Sequence, residues 1–147
     1  MKYIRKSICS LLLCVSMLAV LLTGCSGGKG TAATGNARIL IATCAKGDAF
    51  RDMLIAALES ACDEQGIGHD TVYAEQSAEQ QVAQVKEAKS QGYTAVICRL
   101  IDVDTALQVE RAADGLPVIF VNNCPDEGYL KADEYIYVAS NESVAGS

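Results

Sequence analysis

Five positions in this chain of 147 residues carry side chains suited to ligand chemistry: Asp48, Phe50, Arg99, Asp102 and Asn122, each just beyond a short apolar run. A carboxylate, an amide and a guanidinium can each hold neighbouring hydroxyls by two-point hydrogen bonds, and an aromatic face suits the C–H side of a sugar ring. That is carbohydrate-binding chemistry, with no catalytic step implied. The same residues also admit a plainer reading. Asp48 and Asp102 would be helix N-caps, Phe50 a core residue, and Asn122 with Asn123 a turn. Arg99 would pair with Asp102 or Asp48.

Other chemistries fit less well. The turn Thr43-Cys44-Ala45-Lys46-Gly47 has neither the GxGxxG spacing of a dinucleotide site nor the GxxxxGK[ST] of a phosphate loop. There is no GxSxG elbow, and the one histidine, His69, falls in the turn before the second strand, on the rim opposite the ligand edge. Neither a hydrolase nor a cofactor is expected. Of seven cysteines, Cys9 and Cys14 fall in the leader discussed below, and Cys44, Cys62, Cys98 and Cys124 show no CxxC or metal-ligand spacing. Cys44 and Cys98 stand at neighbouring strand ends, which permits a disulfide or a reactive pair; a role as small buried hydrophobes is the alternative.

These side chains are useful only if regular elements hold them, and the apolar pattern supplies such elements. Ile39-Leu40-Ile41-Ala42 reads as a strand buried on both faces, followed by a helix with Phe50, Leu54, Ala57, Leu58 and Ala61 inward, Asp48 as cap and Gly66 as stop. Thr71-Val72-Tyr73-Ala74 is the second strand. Ser77-Ala78-Glu79-Gln80 is a capping box that opens a helix with Val82, Val85 and Ala88 inward and Gly92 at its end. Thr94 to Cys98 is the third strand, and Asp102 caps a helix through Val103, Ala106, Leu107 and Ala113 that stops at Gly115 and Pro117. Val118 to Val121 and Tyr135 to Val138 are strands four and five, joined by an ordered loop around Cys124-Pro125-Asp126-Glu127-Gly128. Alternating strands and helices imply an α/β fold, an open parallel sheet with helices on both faces.

Composition places the chain in its compartment. Half the residues are apolar and the net charge is −6, which suits a folded domain and argues against nucleic acid. Lys2, Arg5 and Lys6 precede an apolar stretch from Ile8 to Leu22, and Leu22-Thr23-Gly24-Cys25 follows. This reads as a secretory signal over residues 1–24; a fifteen-residue helix reaches only about 22 Å, short of a membrane core of about 30 Å. The tetrapeptide resembles a bacterial lipobox, so Cys25 is expected to carry lipid, with residues 25–37 as lipidated end and flexible tether. Without the leader, 9 basic and 18 acidic groups leave −9 over 123 residues, a surface that anionic lipid repels. Membrane contact is therefore expected through the lipid alone, on the extracytoplasmic face.

Several stretches in order resemble the amino-terminal lobe of type I periplasmic sugar-binding proteins, the receptors of ABC importers. They are Asp48-Ala49-Phe50, Gly92-Tyr93-Thr94-Ala95-Val96-Ile97, Asp102, Gly115-Leu116-Pro117-Val118-Ile119-Phe120-Val121-Asn122, and Tyr137-Val138-Ala139-Ser140-Asn141-Glu142-Ser143-Val144-Ala145-Gly146. The Val-Asn-Asn-Cys-Pro stretch is most similar to the galactose and glucose branch. The resemblance implies that Asp48 accepts from a hydroxyl, that Phe50 stacks on the sugar, and that the positions of Arg99 and Asn122 are contacts; the branch has Asn where Arg99 stands. It also implies a second lobe that closes over a monosaccharide and an ABC permease that recognises the closed form. Residues 38–147 are then expected to be an incomplete amino-terminal lobe, the carboxyl-terminal lobe being absent, and to bind sugar more weakly than millimolar. Two further readings remain: a sensory module presenting ligand to a membrane kinase or chemoreceptor, or a non-functional fragment. An enzyme on a flavodoxin-like or receiver-like sheet, with Asp48 or Asp102 reactive, sits poorly with export and lipidation.

Overall fold

A computed structural model describes residues 36–139. The leader, Cys25, most of the tether and residues 140–147 lie outside the described residues. Five strands, β1 (Arg38–Thr43), β2 (Gly68–Tyr73), β3 (Ala95–Cys98), β4 (Val118–Val121) and β5 (Tyr135–Val138), form one sheet in the order β2-β1-β3-β4-β5. Every adjacent pair is parallel, with Ala42 level with Val72 on one side and Cys98 on the other. The expected open parallel α/β sheet is the observed one.

Period-two alternation divides the sheet into two apolar faces. Leu40, Ala42, Val96, Cys98, Val118 and Phe120 point to one side, where they pack against α2 (Ala78–Ala88) and α3 (Ala106–Ala113) through Val85, Ala88, Ala106, Val109 and Ala113. Ile39, Ile41, Ile97, Ile119 and Val121 point to the other and meet Leu54, Ile55 and Leu58 of α1 (Ala49–Gln65). Burying one such side chain contributes about 1.5–3 kcal/mol, so this two-sided burial is the main stabilising term. Cover is unequal. On the α1 side Ile136 and Val138 of β5 remain 40% and 54% exposed.

The helices start and stop where their terminal residues dictate. Asp48 Oδ1 accepts from Arg51 N–H at 2.9 Å, and Gly66 ends α1 at φ +67°, a left-handed conformation that costs glycine little. Ser77 Oγ accepts from Gln80 N–H at 3.1 Å, but the capping box is half made, since the Ser77 N–H goes to Ala74 O. Asp102 caps a 3₁₀ turn, Val103–Thr105, through the Asp104 N–H, and α3 follows it.

Three placements differ from the sequence expectation. Phe50, Ala57 and Ala61 are exposed, because the buried ridge of α1 runs through Ile55, Leu58 and Cys62, about a residue away on the helical wheel. Val103 is exposed, because it belongs to the 3₁₀ turn and not to the packed face of α3. His69 is the second residue of β2 and not part of the preceding turn, because the Gly68 N–H already bonds Ala37 O and starts the strand early. It remains at the amino end of the sheet.

Glu110 is an anomaly within the packed face of α3, only 7% exposed and with Oε1 unpartnered. Burial pushes its carboxyl above the ordinary Glu range. A folded-state value above the unfolded one means the native state binds the extra proton, so this group's contribution is intact at low pH and is lost as pH rises through the folded value. Glu110→Gln is expected to raise the urea midpoint at neutral pH and to match the wild type below the ordinary Glu range. A midpoint that falls at neutral pH would contradict this.

Candidate functional site

Because all pairings are parallel, the five carboxyl ends share one edge. The chain leaves β1 for β2 on one side, then crosses back to β3 on the other, so the mouth between β1 and β3 is the point where connections diverge. In open α/β sheets that crevice is where ligands sit.

Arg99 lies across this mouth. Its N–H donates to Ala42 O at 3.0 Å, its carbonyl accepts from Gln81 Nε2 at 2.9 Å, and Nη1 donates to Cys44 Sγ at 3.1 Å. The guanidinium therefore ties the exit of β3 to that of β1. Arg99 Nε is shielded and has no acceptor. Neither Asp48 nor Asp102 pairs with it: the ion pairs among the described residues are Arg38–Asp70, His69–Asp63, Lys89–Asp114 and Lys131–Glu134.

The remaining candidates stand on the exits of β1, β3 and β4 around the mouth. Asp48 and Asp102 are exposed and each gives Oδ1 to a cap, as the plainer reading has it. Phe50, 55% exposed, shares a cavity of about 680 Å³ with Asn122, between α1 and the ends of β4 and β5. Leu54, Leu58, Val121 and Val138 give it apolar walls, with Cys124 and Tyr137 beside them. Asn122, at φ +66°, donates from Nδ2 to Asn123 Oδ1, and Asn123 Nδ2 donates in turn to Leu100 O at 2.6 Å. Tyr137 OH donates to Asn122 O. Among the described residues, Phe50 and Asn122 line one cavity.

Of two side chains that hold this rim, one was not singled out from sequence and the other was singled out for a different role. Gln81 is fully buried and uses both ends of its amide, donating to Arg99 O and accepting from the Ile101 N–H at 3.1 Å. Its signal was a polar residue on the same stripe as Val85 and Ala88. Cys44 is 1% exposed and serves Arg99 as acceptor. It is a free thiol, as are Cys62, Cys98 and Cys124, so the Cys44–Cys98 disulfide is not formed. Burial pushes the Cys98 thiol up to about 12, which leaves it protonated and inert. Among the described residues no His, Cys, Asp or Glu cluster suits a metal.

Comparison with known proteins bears on the fold. No family model and no curated protein matches the chain. Solved structures do. The periplasmic ribose ABC transporter protein of Conexibacter woesei superposes with a TM-score of 0.65 at 21% identity, over 81% of this chain and 39% of that one. The fructose-binding periplasmic domain of a hybrid two-component system gives 0.56 at 22%, over 75% and 36%. The lac repressor dimer, bound to operator and an anti-inducer, gives 0.55 at 24%, over 62% and 28%. This chain thus spans little more than a third of their length at most. The likeness shows the fold, that of a type I periplasmic binding protein lobe, and the fold alone.

Gln81→Leu is expected to leave the Arg99 carbonyl and the Ile101 N–H without partners and to cost about 2 kcal/mol. Urea unfolding of the variant checks this; an unchanged midpoint would remove Gln81 from its clamping role.

Proposed function

We propose that this protein is a lipid-anchored, extracytoplasmic solute-binding protein that captures a monosaccharide for an ABC importer. The observation that carries the reading is the rim at the β1–β3 mouth, where Arg99 is held from both sides while the Asp48 carboxylate and the Asn122 amide stand on adjoining exits. Such groups hold hydroxyls by paired hydrogen bonds, and the backbone beneath them is already fixed, so little ordering entropy is lost on binding. The ribose and fructose proteins among the structural neighbours support a monosaccharide. The Val-Asn-Asn-Cys-Pro stretch favours one of galactose or glucose type. Compartment and anchor rest on the leader and on Cys25. No helix among the described residues is long and apolar enough to cross a membrane. A second reading, a sensory module, draws support from the two-component neighbour.

Binding is best read by amide resonances of the chain from residue 25 onward, titrated with galactose, glucose and ribose. Shifts are expected at Asp48, Phe50, Arg99 and Asn122, with a dissociation constant above the millimolar range, and none around Arg38 and His69 at the opposite edge. Asp48→Asn, which keeps the cap but removes the charge, is expected to abolish the shifts, and His69→Ala to leave them intact. Equal losses from both would sink the site; no shifts with any sugar would sink the monosaccharide reading.

Lipid attachment is separable from binding. In a bacterial host fed labelled fatty acid, the chain is expected to take up label and sediment with membranes, and Cys25→Ser to do neither. A Cys25→Ser product still labelled would place the anchor elsewhere.

A further inference from the structure

Arg99 is a partly buried cation whose only side-chain acceptor is a thiol. Among the described residues no carboxylate lies within 4.0 Å of it, since their ion pairs all involve other cations. A guanidinium partly withdrawn from water without a counter-charge is unfavourable, and the cost is recovered when an anion arrives. The acids at the same edge do not fill that role. Asp48 and Asp102 each give Oδ1 to the N–H groups at the start of a helical segment, whose positive end answers their charge, and Glu75 is exposed on the exit of β2. Lys46, the nearby cation on the β1 exit, sits over the ring of Tyr73 at 4.7 Å. Nη1 of Arg99 donates one N–H to Cys44 and Nε is shielded without a partner, so among the described residues the guanidinium keeps N–H groups that no side-chain oxygen answers.

We propose that Arg99 is the specificity-determining residue of the site and selects a carboxylate-bearing monosaccharide, such as a uronate, over the neutral sugar. The inference rests on the monosaccharide reading above and names the substrate class within it. A carboxylate suits the site better than a phosphate, because a net charge of −9 over residues 25–147 opposes a dianion more than a monoanion.

The test titrates the chain from residue 25 with galacturonate, galactose and galactose 6-phosphate, following the amide resonances and the Arg99 Nε–H. Galacturonate is expected to bind about tenfold tighter than galactose and to shift the Nε–H, because a charge-assisted hydrogen bond is about twice as strong as a neutral one. In Arg99→Gln both sugars are expected to bind more weakly and the galacturonate advantage over galactose to vanish, whereas in Arg99→Lys, which keeps the charge, the advantage is expected to persist. The wild-type comparison stands even if a variant fails to fold. Galactose binding as tightly as galacturonate would overturn the inference and leave the monosaccharide reading in place. Stronger binding of the 6-phosphate would overturn the choice of carboxylate, and silence from all three would remove both readings together.

Discussion

The structure depends on the parallel pairing of β1 with a partner on each side. Parallel strands need crossovers, crossovers put helices on the faces, and both faces of β1 must then be apolar. Leu40 and Ala42 go to one core and Ile39 and Ile41 to the other. The pairing continues past the regular strands: the Ala74 N–H reaches Thr43 O, the Glu75 N–H reaches Cys44 O, and the Arg99 N–H reaches Ala42 O. The exits of β1, β2 and β3 are therefore fastened to one another before any side chain acts. Whatever the edge binds, it meets a rim whose backbone is already set.

On that rim, polar groups divide into those that hold structure and those left open. The Gln81 amide uses both its donor and its acceptor on the β3 exit, and the Asn122–Asn123 pair ties the exit of β4 to Leu100. Asp48 and Asp102 spend one oxygen each on a cap and retain the other. Arg99 differs from these, with a thiol on one nitrogen and no carboxylate nearby. This asymmetry, more than the presence of polar residues, marks the mouth between β1 and β3.

The two faces of the sheet contrast in how far they were legible. The α2 and α3 face follows its apolar periodicity at Val85, Ala88, Ala106 and Ala113, but it also buries the polar Gln81 and Glu110 and leaves Val103 outside. On the α1 face the helix itself was legible, its cap and stop included, but its phase was not. Leu54 and Leu58 are shared by two candidate stripes, and the choice between Phe50 with Ala61 and Ile55 with Cys62 depends on where the helix axis crosses the sheet. Phe50 therefore lies beside Asn122 in a cavity and not under the helix.

The sequence by itself determined the order of elements, most of their caps and the parallel sheet with its carboxyl edge, because periodicity, turn residues and the handedness of crossovers are local or topological properties. It also named the residues that populate that edge. Only the tertiary structure decided their company: that Arg99 faces Cys44 and not Asp48 or Asp102, that a buried Gln81 holds the loop after β3, and that Phe50 and Asn122 share a wall. Those outcomes depend on distances between side chains dozens of residues apart, set by sheet twist and helix phase, and no spacing along the chain encodes them directly.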